Sequence, residues 1–354
     1  MHENIAAVPG PLLDWYAVNK RTLPWRGIGD PYQVLVSEIM LQQTRVAAVI
    51  PYYLRWMESL PSVEALAEVP EERLMKLWQG LGYYSRARNL HRAALMVMEE
   101  YGGQFPQSHR ELLRLPGVGD YTAGAVASIA FGQAVPAVDG NVLRVAARLT
   151  GSEEDILDPA VRRRFREEMA AVIPADRPGE FNQALMDLGA MVCLPNGAPV
   201  CGHCPLEALC AANRLGLQNV LPVRRKKAPR RTEELTVYLL LRDGRMAVRR
   251  RAETGLLAGL WEFPHVAGTL DDGQAGTPLS FWNLRAREWR KKLTAKHVFT
   301  HVEWRMTGYL LEAEGEGSGL TWVSRKELAE LAVPSAFAKF LEEACRVLEK
   351  EAMQ

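Results

Sequence analysis

The chain has 354 residues, a length that favours two domains, and its 48% hydrophobic and 24% charged residues are typical of a globular protein with a sizeable core. Its formal net charge of +1 excludes nucleic-acid or membrane binding through overall basicity, so any nucleic-acid surface must be a local patch. Because no apolar run is long enough to span a membrane and the first residues do not resemble a secretory signal, we expect a cytoplasmic location.

The first 215 residues predict an almost entirely helical region. Stretches in which apolar residues recur with the period of a helix alternate with residues that typically begin or end helices. The glycine pair at 102–103 ends one such stretch, and Asp158 followed by Pro159 begins another.

A glycine-rich segment between two predicted helices is the most informative part of this region. It reads L-P-G-V-G-D-Y-T from Leu115, after a capping-box start at Ser108 that predicts a short helix through Leu115. Pro116 removes a backbone donor and the glycines favour a tight turn, so the first helix cannot continue through them. A second helix is expected after the turn, from about Tyr121 to Phe131. The N–H groups at the start of that helix suit a phosphate oxygen, although the same motif is often only a turn between helices.

A lone carboxylate, Asp139, follows this hairpin by about twenty residues, at the start of another predicted helix. An Asp in such a position is usually an N-cap. A phosphate clamp followed by one carboxylate is also the arrangement of a base-excising enzyme. The separation of the two features, together with the cysteines described next, favours the second interpretation.

Four of the five cysteines lie within eighteen residues, at Cys193, Cys201, Cys204 and Cys210. A cytosolic chain does not form stable disulfides, so the spacing C-x7-C-x2-C-x5-C predicts a metal or iron–sulfur site. Four thiolates can hold one Zn²⁺ ion or a [4Fe–4S] cluster, and the spacing alone does not choose between them. Cys345 lies apart in a predicted C-terminal helix, where we expect a small buried hydrophobic residue.

The composition changes after Leu221 to a basic, proline-containing segment. Six of the eight residues from 224 to 231 are Lys or Arg. This segment is either a solvated linker or a strap that follows phosphate groups.

The residues after Glu234 predict a separate domain of the α+β class. A hairpin is expected around a turn at Asp243-Gly244, and a long strand region from His297 to Leu311. Two helices complete the domain, one near Lys326 and one from Ser335 to Glu351.

The chain contains three long motifs besides the four cysteines: L-P-G-V-G-D-Y-T-A-G-A-V, V-D-G-N-V-L-R-V and F-N-Q-A-L-M-D-L-G-A-M-V-C. Together they resemble the endonuclease III superfamily of DNA glycosylases, which carries a [4Fe–4S] cluster at this place. Bifunctional members have a Schiff-base lysine after the hairpin, where this chain has Tyr121. With V-S-E-I-M-L-Q-Q-T-R-V, L-P-W-R, L-G-Y-Y-S-R and a second domain, the chain resembles the MutY-type adenine DNA glycosylases over essentially its whole length.

The resemblance implies an all-α N-terminal helix-hairpin-helix domain with an iron–sulfur cluster loop, at residues 1–216. A basic linker at 217–232 and an α+β Nudix-like domain at 233–354 would follow. The implied activity is that of a monofunctional glycosylase, which removes adenine opposite 8-oxoguanine or guanine and leaves an abasic site. The implied partner is double-stranded DNA with such a mismatch, bound by a monomer that is nucleoid-associated if the source is bacterial.

The resemblance assigns the chemistry to two carboxyl groups. Glu38 would protonate the leaving adenine at N7, and burial among its apolar neighbours at 39–41 would raise its pKa. Asp139 would stabilise the oxocarbenium-like sugar or attack it transiently, as in glycoside hydrolysis by two carboxylates. The family pattern adds Asn141 and Tyr121 as polar partners of Asp139.

Other residues match family positions that contact DNA. A base inside a duplex must be flipped out before it is excised. Gln43 and Tyr83 match residues that wedge into the base stack, with Leu81 beside them. Gly117 and Gly119 belong to the phosphate-binding hairpin. The residues that match the adenine pocket are Trp25, Arg26 and Gln183.

The second domain resembles the Nudix-like domain with which MutY-type enzymes read 8-oxoguanine. Nudix hydrolases need a metal box of the form R-E-x-x-E-E, of which this chain has only Arg287-Glu288, so a binding role is favoured over phosphohydrolase activity. The recognition loop would be Phe299, Thr300 and His301, where many relatives have F-S-H. Threonine keeps the hydroxyl group of serine.

One departure from the family pattern concerns the first cysteine loop, L-P-N-G-A-P-V, which is one residue longer than usual and contains no Lys or Arg. We still expect a cluster, but this loop is a weaker DNA anchor. Two alternatives remain open: a thymine glycosylase of T·G mismatches, and a non-catalytic, cluster-containing DNA-binding protein. The second domain and Glu38 argue against the first, and the presence of both Glu38 and Asp139 argues against the second.

Overall fold

The computed structural model describes residues 3–225 and 229–352. The chain divides into two compact units, of which unit 1 comprises Met1–Val69 and Arg88–Lys226, and unit 2 comprises Pro70–Ala87 and Lys227–Gln354. Unit 2 therefore includes a segment from the first half of the chain, which no pattern in the sequence indicated. The expected limits of 1–216, 217–232 and 233–354 stay a prediction.

The predicted helical character of the first 215 residues is confirmed. Helix α6 belongs to unit 2 and α7 crosses from unit 2 into unit 1. The helices are α1 (Glu3–Ala6), α2 (Pro9–Asn19), α3 (Pro31–Leu41), α4 (Val46–Ser59), α5 (Val63–Glu68), α6 (Glu71–Trp78), α7 (Ser85–Tyr101), α8 (His109–Leu112), α9 (Asp120–Phe131), α10 (Gly140–Thr150), α11 (Pro159–Val172), α12 (Pro178–Met191) and α13 (Ala211–Leu215), with short 3₁₀ turns at Cys201–His203 and Glu207–Leu209.

The packing of unit 1 centres on α12, which contacts α2, α9 and α10. Its Phe181, Leu185 and Leu188 share one buried cluster with Leu12 of α2 and Val145 of α10. Each large apolar side chain buried in this way contributes about 1.5–3 kcal/mol. Because α3 also packs against α9, these contacts gather the helices that carry the candidate catalytic residues.

Unit 2 is built on a mixed seven-stranded sheet of order β3-β2-β1-β6-β5, in which β4 also pairs with β1 and β7 with β2. Strands β1 and β6 are parallel, and the other pairs are antiparallel. The elements are β1 (Arg231–Arg242), β2 (Arg245–Arg250), β3 (Trp261–Glu262), β4 (His265–Ala267), a 3₁₀ turn (Thr277–Trp282), β5 (Leu284–Val298), β6 (Val302–Gly315), β7 (Thr321–Val323), α14 (Arg325–Glu330), a 3₁₀ turn (Ser335–Phe337) and α15 (Ala338–Glu351).

Side chains of β1 alternate between two cores on the opposite faces of this sheet. Val237 and Leu239 lie in the core that includes Phe340 of α15, whereas Tyr238 and Leu240 lie in the other. The alternation follows from the two-residue period of a strand. At Gly308 of β6 a Cβ would stand 2.3 Å from Phe340 Cε1, so glycine permits the close approach of α15 to the sheet.

The predicted hairpin turn at Asp243-Gly244 is confirmed, with φ of +48° and +67° at its two residues. The strand region expected from His297 to Leu311 is strand except at residues 299–301, where the chain reverses between the antiparallel strands β5 and β6. Phe299 closes this turn, since its N–H donates to the carbonyl of Val302 at 2.8 Å.

The basic segment from 224 to 231 falls partly outside the described residues, which exclude 226–228. Leu221 is buried, the Ile156 N–H donates to the carbonyl of Val223, and Arg231 already belongs to β1. The ends of the segment are therefore part of the folded units. Within the described ranges, no helix combines the length and the apolar character that a membrane crossing requires.

Candidate active site

The predicted helix–hairpin–helix is formed by α8, the turn at 113–119 and α9. Ser108 caps α8 by accepting a hydrogen bond from the backbone N–H of Glu111, but the helix ends at Leu112 rather than at Leu115. The carbonyls of the last turn of α8 accept hydrogen bonds from N–H groups of the turn at 113–119, including the N–H of Leu115. Helix α9 ends as expected, with Gly132 in the left-handed conformation.

The two hairpin glycines differ in their backbone. Gly117 has a φ of +79°, and a Cβ there would lie 2.6 Å from Cβ of Asn89, so the position requires glycine. Gly119 precedes α9 with an extended φ of −99°, against our expectation of a positive value, and a Cβ there would meet open space. Open space beside the first N–H groups of a helix leaves room for an anion to approach them.

Glu38 lies near the end of α3 with only 5% of its surface exposed. Its Oε2 accepts a hydrogen bond from the Tyr121 hydroxyl at 2.5 Å. Burial raises the pKa of the Glu38 carboxyl, and the Tyr121 hydrogen bond and the charge of Arg26 lower it by less. The net shift favours a protonated acid, in the direction expected from the apolar residues around it.

Asp139 occupies the N-cap of α10, so the ordinary interpretation of an Asp before a helix is correct as far as it goes. Its Oδ1 accepts from the N–H groups of Asn141 and Val142 at 2.8 and 2.9 Å, and its Oδ2 accepts from Asn141 Nδ2 at 2.7 Å. Burial raises the pKa of Asp139, while these bonds and the charge of Arg144 oppose the rise. The carboxyl is therefore partly buried, accepts three hydrogen bonds and lies within reach of a positive charge.

These groups lie within electrostatic reach of one another. Asp139 raises the pKa of both Glu38 and Tyr121, and the charge of Arg26 lowers both. Tyr121, expected beside Asp139, instead donates to Glu38, because it lies in the first turn of α9, which packs against α3. The hydroxyl also lies 3.7 Å from Sδ of Met186, which places α12 at the same site.

Of the residues matched to an adenine pocket, Trp25 and Gln183 are buried and Arg26 is partly buried. Trp25 stands edge-on to Tyr53, with ring centroids 5.2 Å apart. Arg26 donates from Nη1 to the Tyr16 hydroxyl at 2.5 Å, and Tyr16 donates to Gln183 Oε1 at 2.9 Å. The pocket residues on α12 and after α2 are thus joined by hydrogen bonds.

Sequence reasoning missed the buried ion pairs that hold Arg26. Asp187 of α12 is fully buried and accepts from Arg26 Nη2 at 3.0 Å and from Arg21 Nη2 at 2.7 Å. The sequence did contain an indication of such a pair. Asp187 lies between Met186 and Leu188 on an apolar helix, and a buried aspartate needs a charged or hydrogen-bonding partner. Its partners, more than a hundred and sixty positions away, could not be read from that pattern.

Two family models match the chain. The model described as HhH-GPD superfamily base excision DNA repair protein matches residues 36–171, and the NUDIX domain model matches residues 236–343. The chain is 36% identical to the human "Adenine DNA glycosylase" over 95% of this chain and 73% of the relative. It is 37% identical to the Arabidopsis thaliana "Adenine DNA glycosylase" over 93% of this chain and 62% of the relative.

The chain belongs to the adenine DNA glycosylase family. Membership makes it an enzyme of adenine excision from DNA. Among solved structures it is similar to a thermostable thymine-DNA glycosylase, with 29% identity and a TM-score of 0.54 over 60% of this chain and 97% of that one. It is also similar to endonuclease III in a non-covalent DNA complex, with 27% identity and a TM-score of 0.50 over 58% and 95% of the two chains.

In this glycosylase the four clustered cysteines line one cavity, beside the buried Arg148. Arg148 Nη1 donates to Cys193 Sγ at 3.2 Å, and Cys210 Sγ donates to the Arg148 carbonyl at 3.4 Å. Within residues 3–225 and 229–352, no three His, Cys, Asp or Glu side chains are arranged so that they could hold a single metal ion. The thiols share a cavity without closing around one point.

The two predicted wedge residues both have strained backbones. Gln43 has a φ of +61° and Tyr83 a φ of +48°, conformations that residues other than glycine rarely adopt. Strain of this kind concentrates at functional positions. Tyr83 is exposed, whereas Leu81, expected beside it, is buried, so Leu81 supports the loop rather than facing solvent.

Arg86 holds the loop that carries Tyr83. Its Nη2 donates to the carbonyls of Leu81 and Gly82, each at 3.1 Å, and its guanidinium lies 5.3 Å from the ring centroid of Trp78. Burial lowers the pKa of Arg86 to about 10, so it stays charged near neutral pH. The sequence motif L-G-Y-Y-S-R contains this residue, but its role was not predicted.

The three residues of the expected recognition loop form the turn between β5 and β6. Phe299 is half-buried against the core of unit 2, with its ring centroid 4.9 Å from that of Trp304, whereas Thr300 and His301 are exposed. The Thr300 hydroxyl forms a hydrogen bond with that of Tyr83, which also belongs to unit 2. Tyr83, which was predicted to wedge into the base stack, therefore contacts Thr300, which was predicted to recognise 8-oxoguanine.

Proposed function

We propose that this glycosylase hydrolyses the N-glycosidic bond of adenine opposite 8-oxoguanine or guanine and leaves an abasic site. The observation that carries the proposal is the pair of carboxyl groups formed by the buried Glu38 and the partly buried Asp139, within electrostatic reach of each other. Two carboxyl groups with different environments are the usual apparatus for cleaving a bond to a sugar.

Glu38 acts as the general acid. Burial raises its pKa and so favours the protonated carboxyl, and that proton passes to N7 of the flipped adenine as the bond between N9 and C1′ breaks. The bonding electron pair leaves with the neutral base. Tyr121 occupies Oε2 of Glu38, so the proton is available from the other carboxyl oxygen.

Asp139 stabilises the positive charge that develops on the sugar, or bonds transiently to C1′. The hydrogen bonds from Asn141 and Val142 hold the carboxylate in place before the charge forms, so little reorganisation is needed. Water then adds to C1′, any bond from Asp139 to C1′ breaks as the carboxylate leaves, and the water proton passes to the Glu38 carboxylate left by the first step, which completes the hydrolysis. Because Tyr121 has no amine, no Schiff base forms and the enzyme is monofunctional.

The substrate is double-stranded DNA bound by a monomer. Gln43 and Tyr83 enter the base stack while the target adenine is flipped out, and the N-terminus of α9 behind Gly117 and Gly119 binds a phosphate. The turn at Phe299, Thr300 and His301 reads 8-oxoguanine. Since Arg287 and Glu288 lie in strand β5 without the rest of a Nudix metal box, unit 2 binds rather than hydrolyses.

Cys193, Cys201, Cys204 and Cys210 would hold a [4Fe–4S] cluster. The fit is supported by the four thiols that line one cavity, a donor set that suits such a cluster. The cluster would supply structural cross-linking of residues 193–210, and no bond-breaking step depends on it.

A single-turnover assay tests the function. Duplexes that contain A·8-oxoguanine, A·G or T·G are incubated with excess enzyme, and abasic sites are revealed by alkali. We expect release of adenine from the first two, and none from the Glu38→Gln variant, which binds the same duplexes because an amide fills the same space. Excision from T·G alone would establish the thymine glycosylase, and binding without excision the non-catalytic protein.

A further inference from the structure

A relay of buried and partly buried hydrogen bonds joins Asp187 to the amide of Gln183. It passes from Asp187 to Arg26, from Arg26 to Tyr16, and from Tyr16 to Gln183. Tyr16 is 4% exposed and Gln183 is 9% exposed, so water competes little for these bonds. The second bond of Asp187, to Arg21, fixes the carboxylate at the start of the relay.

The relay has one direction because a guanidinium can only donate. Arg26 Nη1 donates to the oxygen of Tyr16, and the single proton of that hydroxyl is then left for Gln183 Oε1. If the Gln183 amide were rotated by half a turn, its NH₂ group would face the Tyr16 hydroxyl. The proton of that hydroxyl would then have no acceptor among the residues of the relay. Leaving a buried donor without a partner is unfavourable, so the relay selects one orientation of the amide.

The selected orientation leaves Gln183 as a donor. Its Nε2 makes no hydrogen bond to any residue in the ranges that the structure describes, 3–225 and 229–352. Met186, one helical turn further along α12, contacts the hydroxyl that binds Glu38. Residues three apart share one face of a helix, so Gln183 lies on the face of α12 that meets the catalytic acid.

We propose that Tyr16 is a positioning residue for base specificity, which holds Gln183 as a hydrogen-bond donor toward a ring nitrogen of the bound base. The six-membered ring of adenine offers N1 and N3 as acceptors, and Glu38 acts on the other ring. Hypoxanthine carries a proton on N1, and 3-deazaadenine lacks N3. The inference rests on the proposed function, because it requires that adenine enters this site.

The test compares single-turnover excision of adenine, hypoxanthine and 3-deazaadenine opposite 8-oxoguanine by the parent and by Tyr16→Phe. Differences in the intrinsic reactivity of the bases cancel in this comparison. A freed amide can turn and accept a proton, so the preference for adenine over one of the two analogues should fall about tenfold, the worth of one hydrogen bond. Adenine excision with both preferences within twofold of the parent would overturn the inference.

A double-variant cycle separates positioning from general loosening. In a Gln183→Ala background, adding Tyr16→Phe should leave the preferences unchanged, because the amide through which Tyr16 acts is gone. A further change of similar size there would overturn the inference. Tyr32→Phe is the matched control, since that buried hydroxyl also accepts from one group, Trp56, and donates to another, the Leu60 carbonyl; an equal loss of preference in it would also overturn the inference.

A second variant keeps the test available if Tyr16→Phe does not fold. Gln183→Glu retains an acceptor for Tyr16 but replaces the donating NH₂ group by an oxygen, and the preference for adenine should fall in it although Tyr16 is intact. An unchanged preference would contradict the inference. A parent enzyme that releases no adenine at all would instead defeat the proposed function, so the two failures are distinguishable.

Discussion

Asp139 combines two tasks in one side chain, as the cap of α10 and as the proposed stabiliser of the sugar cation. Asparagine caps helices as well as aspartate does, but it carries no charge. We therefore predict that Asp139→Asn folds with a thermal midpoint close to that of the parent and loses at least about a hundredfold in single-turnover rate, the range for one electrostatic group.

The matched control is Asp158→Asn at the N-cap of α11, where the carboxylate also accepts a backbone N–H, at 2.7 Å from Ala160. It should change neither rate nor stability beyond a few tenths of a kcal/mol. Parental turnover by Asp139→Asn would refute the two-carboxylate mechanism.

Tyr121 tunes the acid through a single hydrogen bond, which makes its effect on pH dependence predictable. Activity needs Glu38 protonated and Asp139 ionised, so the rate falls as pH rises through the pKa of Glu38 and falls again as pH drops through that of Asp139. Burial raises both pKa values, which moves the bell-shaped profile above that of two exposed carboxyl groups.

The Tyr121 hydroxyl lowers the pKa of Glu38 because it donates to the carboxylate. Tyr121→Phe removes that bond, so we predict that the alkaline limb of the single-turnover rate profile moves to higher pH. The reference is Tyr238→Phe, which removes a buried hydroxyl of unit 2 and should leave the limb in place. A downward movement in Tyr121→Phe would show that the hydroxyl serves another purpose.

Among the elements, the loop from Leu81 to Tyr84 depends on one arginine. Arg86→Lys keeps the charge but cannot donate to two carbonyls in the fork that guanidinium forms. We predict a loss of about tenfold in single-turnover rate, the worth of one charged hydrogen bond. The signal of a fluorescent base analogue beside the target adenine should fall with it, because Tyr83 would enter the stack less often.

The exposed Arg73 of α6 provides the control for this loop, since Arg73→Lys makes the same substitution at an exposed position of the helix. Equal losses in the two variants would show that the effect is electrostatic attraction of DNA rather than loop geometry.

The segment from 193 to 210 is the element that a cluster would organise. We predict a brown protein with about four irons per chain after anaerobic purification. Cys204→Ser should lose iron, since a serine hydroxyl replaces one of the four thiolates that would hold the cluster. Cys345→Ser, a change outside the cavity, should keep the iron; zinc in place of iron in the parent would overturn the cofactor proposal.

For the whole molecule, the preference for 8-oxoguanine over guanine should depend on unit 2. Thr300→Ala combined with His301→Ala should reduce the ratio of the A·8-oxoguanine rate to the A·G rate by roughly ten- to a hundredfold, since each lost base contact is worth about 1–3 kcal/mol. Thr294→Ala, at an exposed position of the same hairpin, is the matched control. An unchanged ratio in the double variant would show that 8-oxoguanine is read elsewhere.

Point variants test this better than removal of everything after Thr232. Such a truncation would also remove the backbone carbonyls of Leu331 and Val333, which accept hydrogen bonds from Lys76 and Gln79 around α6. We expect the truncated chain to lose stability as well as discrimination, so its rates would mix two effects.

Elements with a local cause could be predicted, and those with a distant cause could not. The turn at Asp243-Gly244 consists of residues that tolerate positive φ, so the sequence predicted it correctly. The turn at 299–301, where Phe299 packs on Trp304, has no glycine or asparagine to indicate it, and only the resemblance implied a loop there. In the site, Glu38 and Asp139 stand in recognisable motifs, whereas the bond between Tyr16 and Gln183 joins positions 167 apart.

The inclusion of residues 70–87 in unit 2 has a consequence for synthesis on the ribosome. Gln79 and its partner Val333 are separated by 254 positions, so at about 5–20 residues per second roughly 13–50 s pass between their appearance. During that time α6 has an apolar face, with Leu74, Met75 and Trp78, before its partners from unit 2 exist. Complete assembly of unit 2 therefore has to wait until the chain around Val333 has been synthesised.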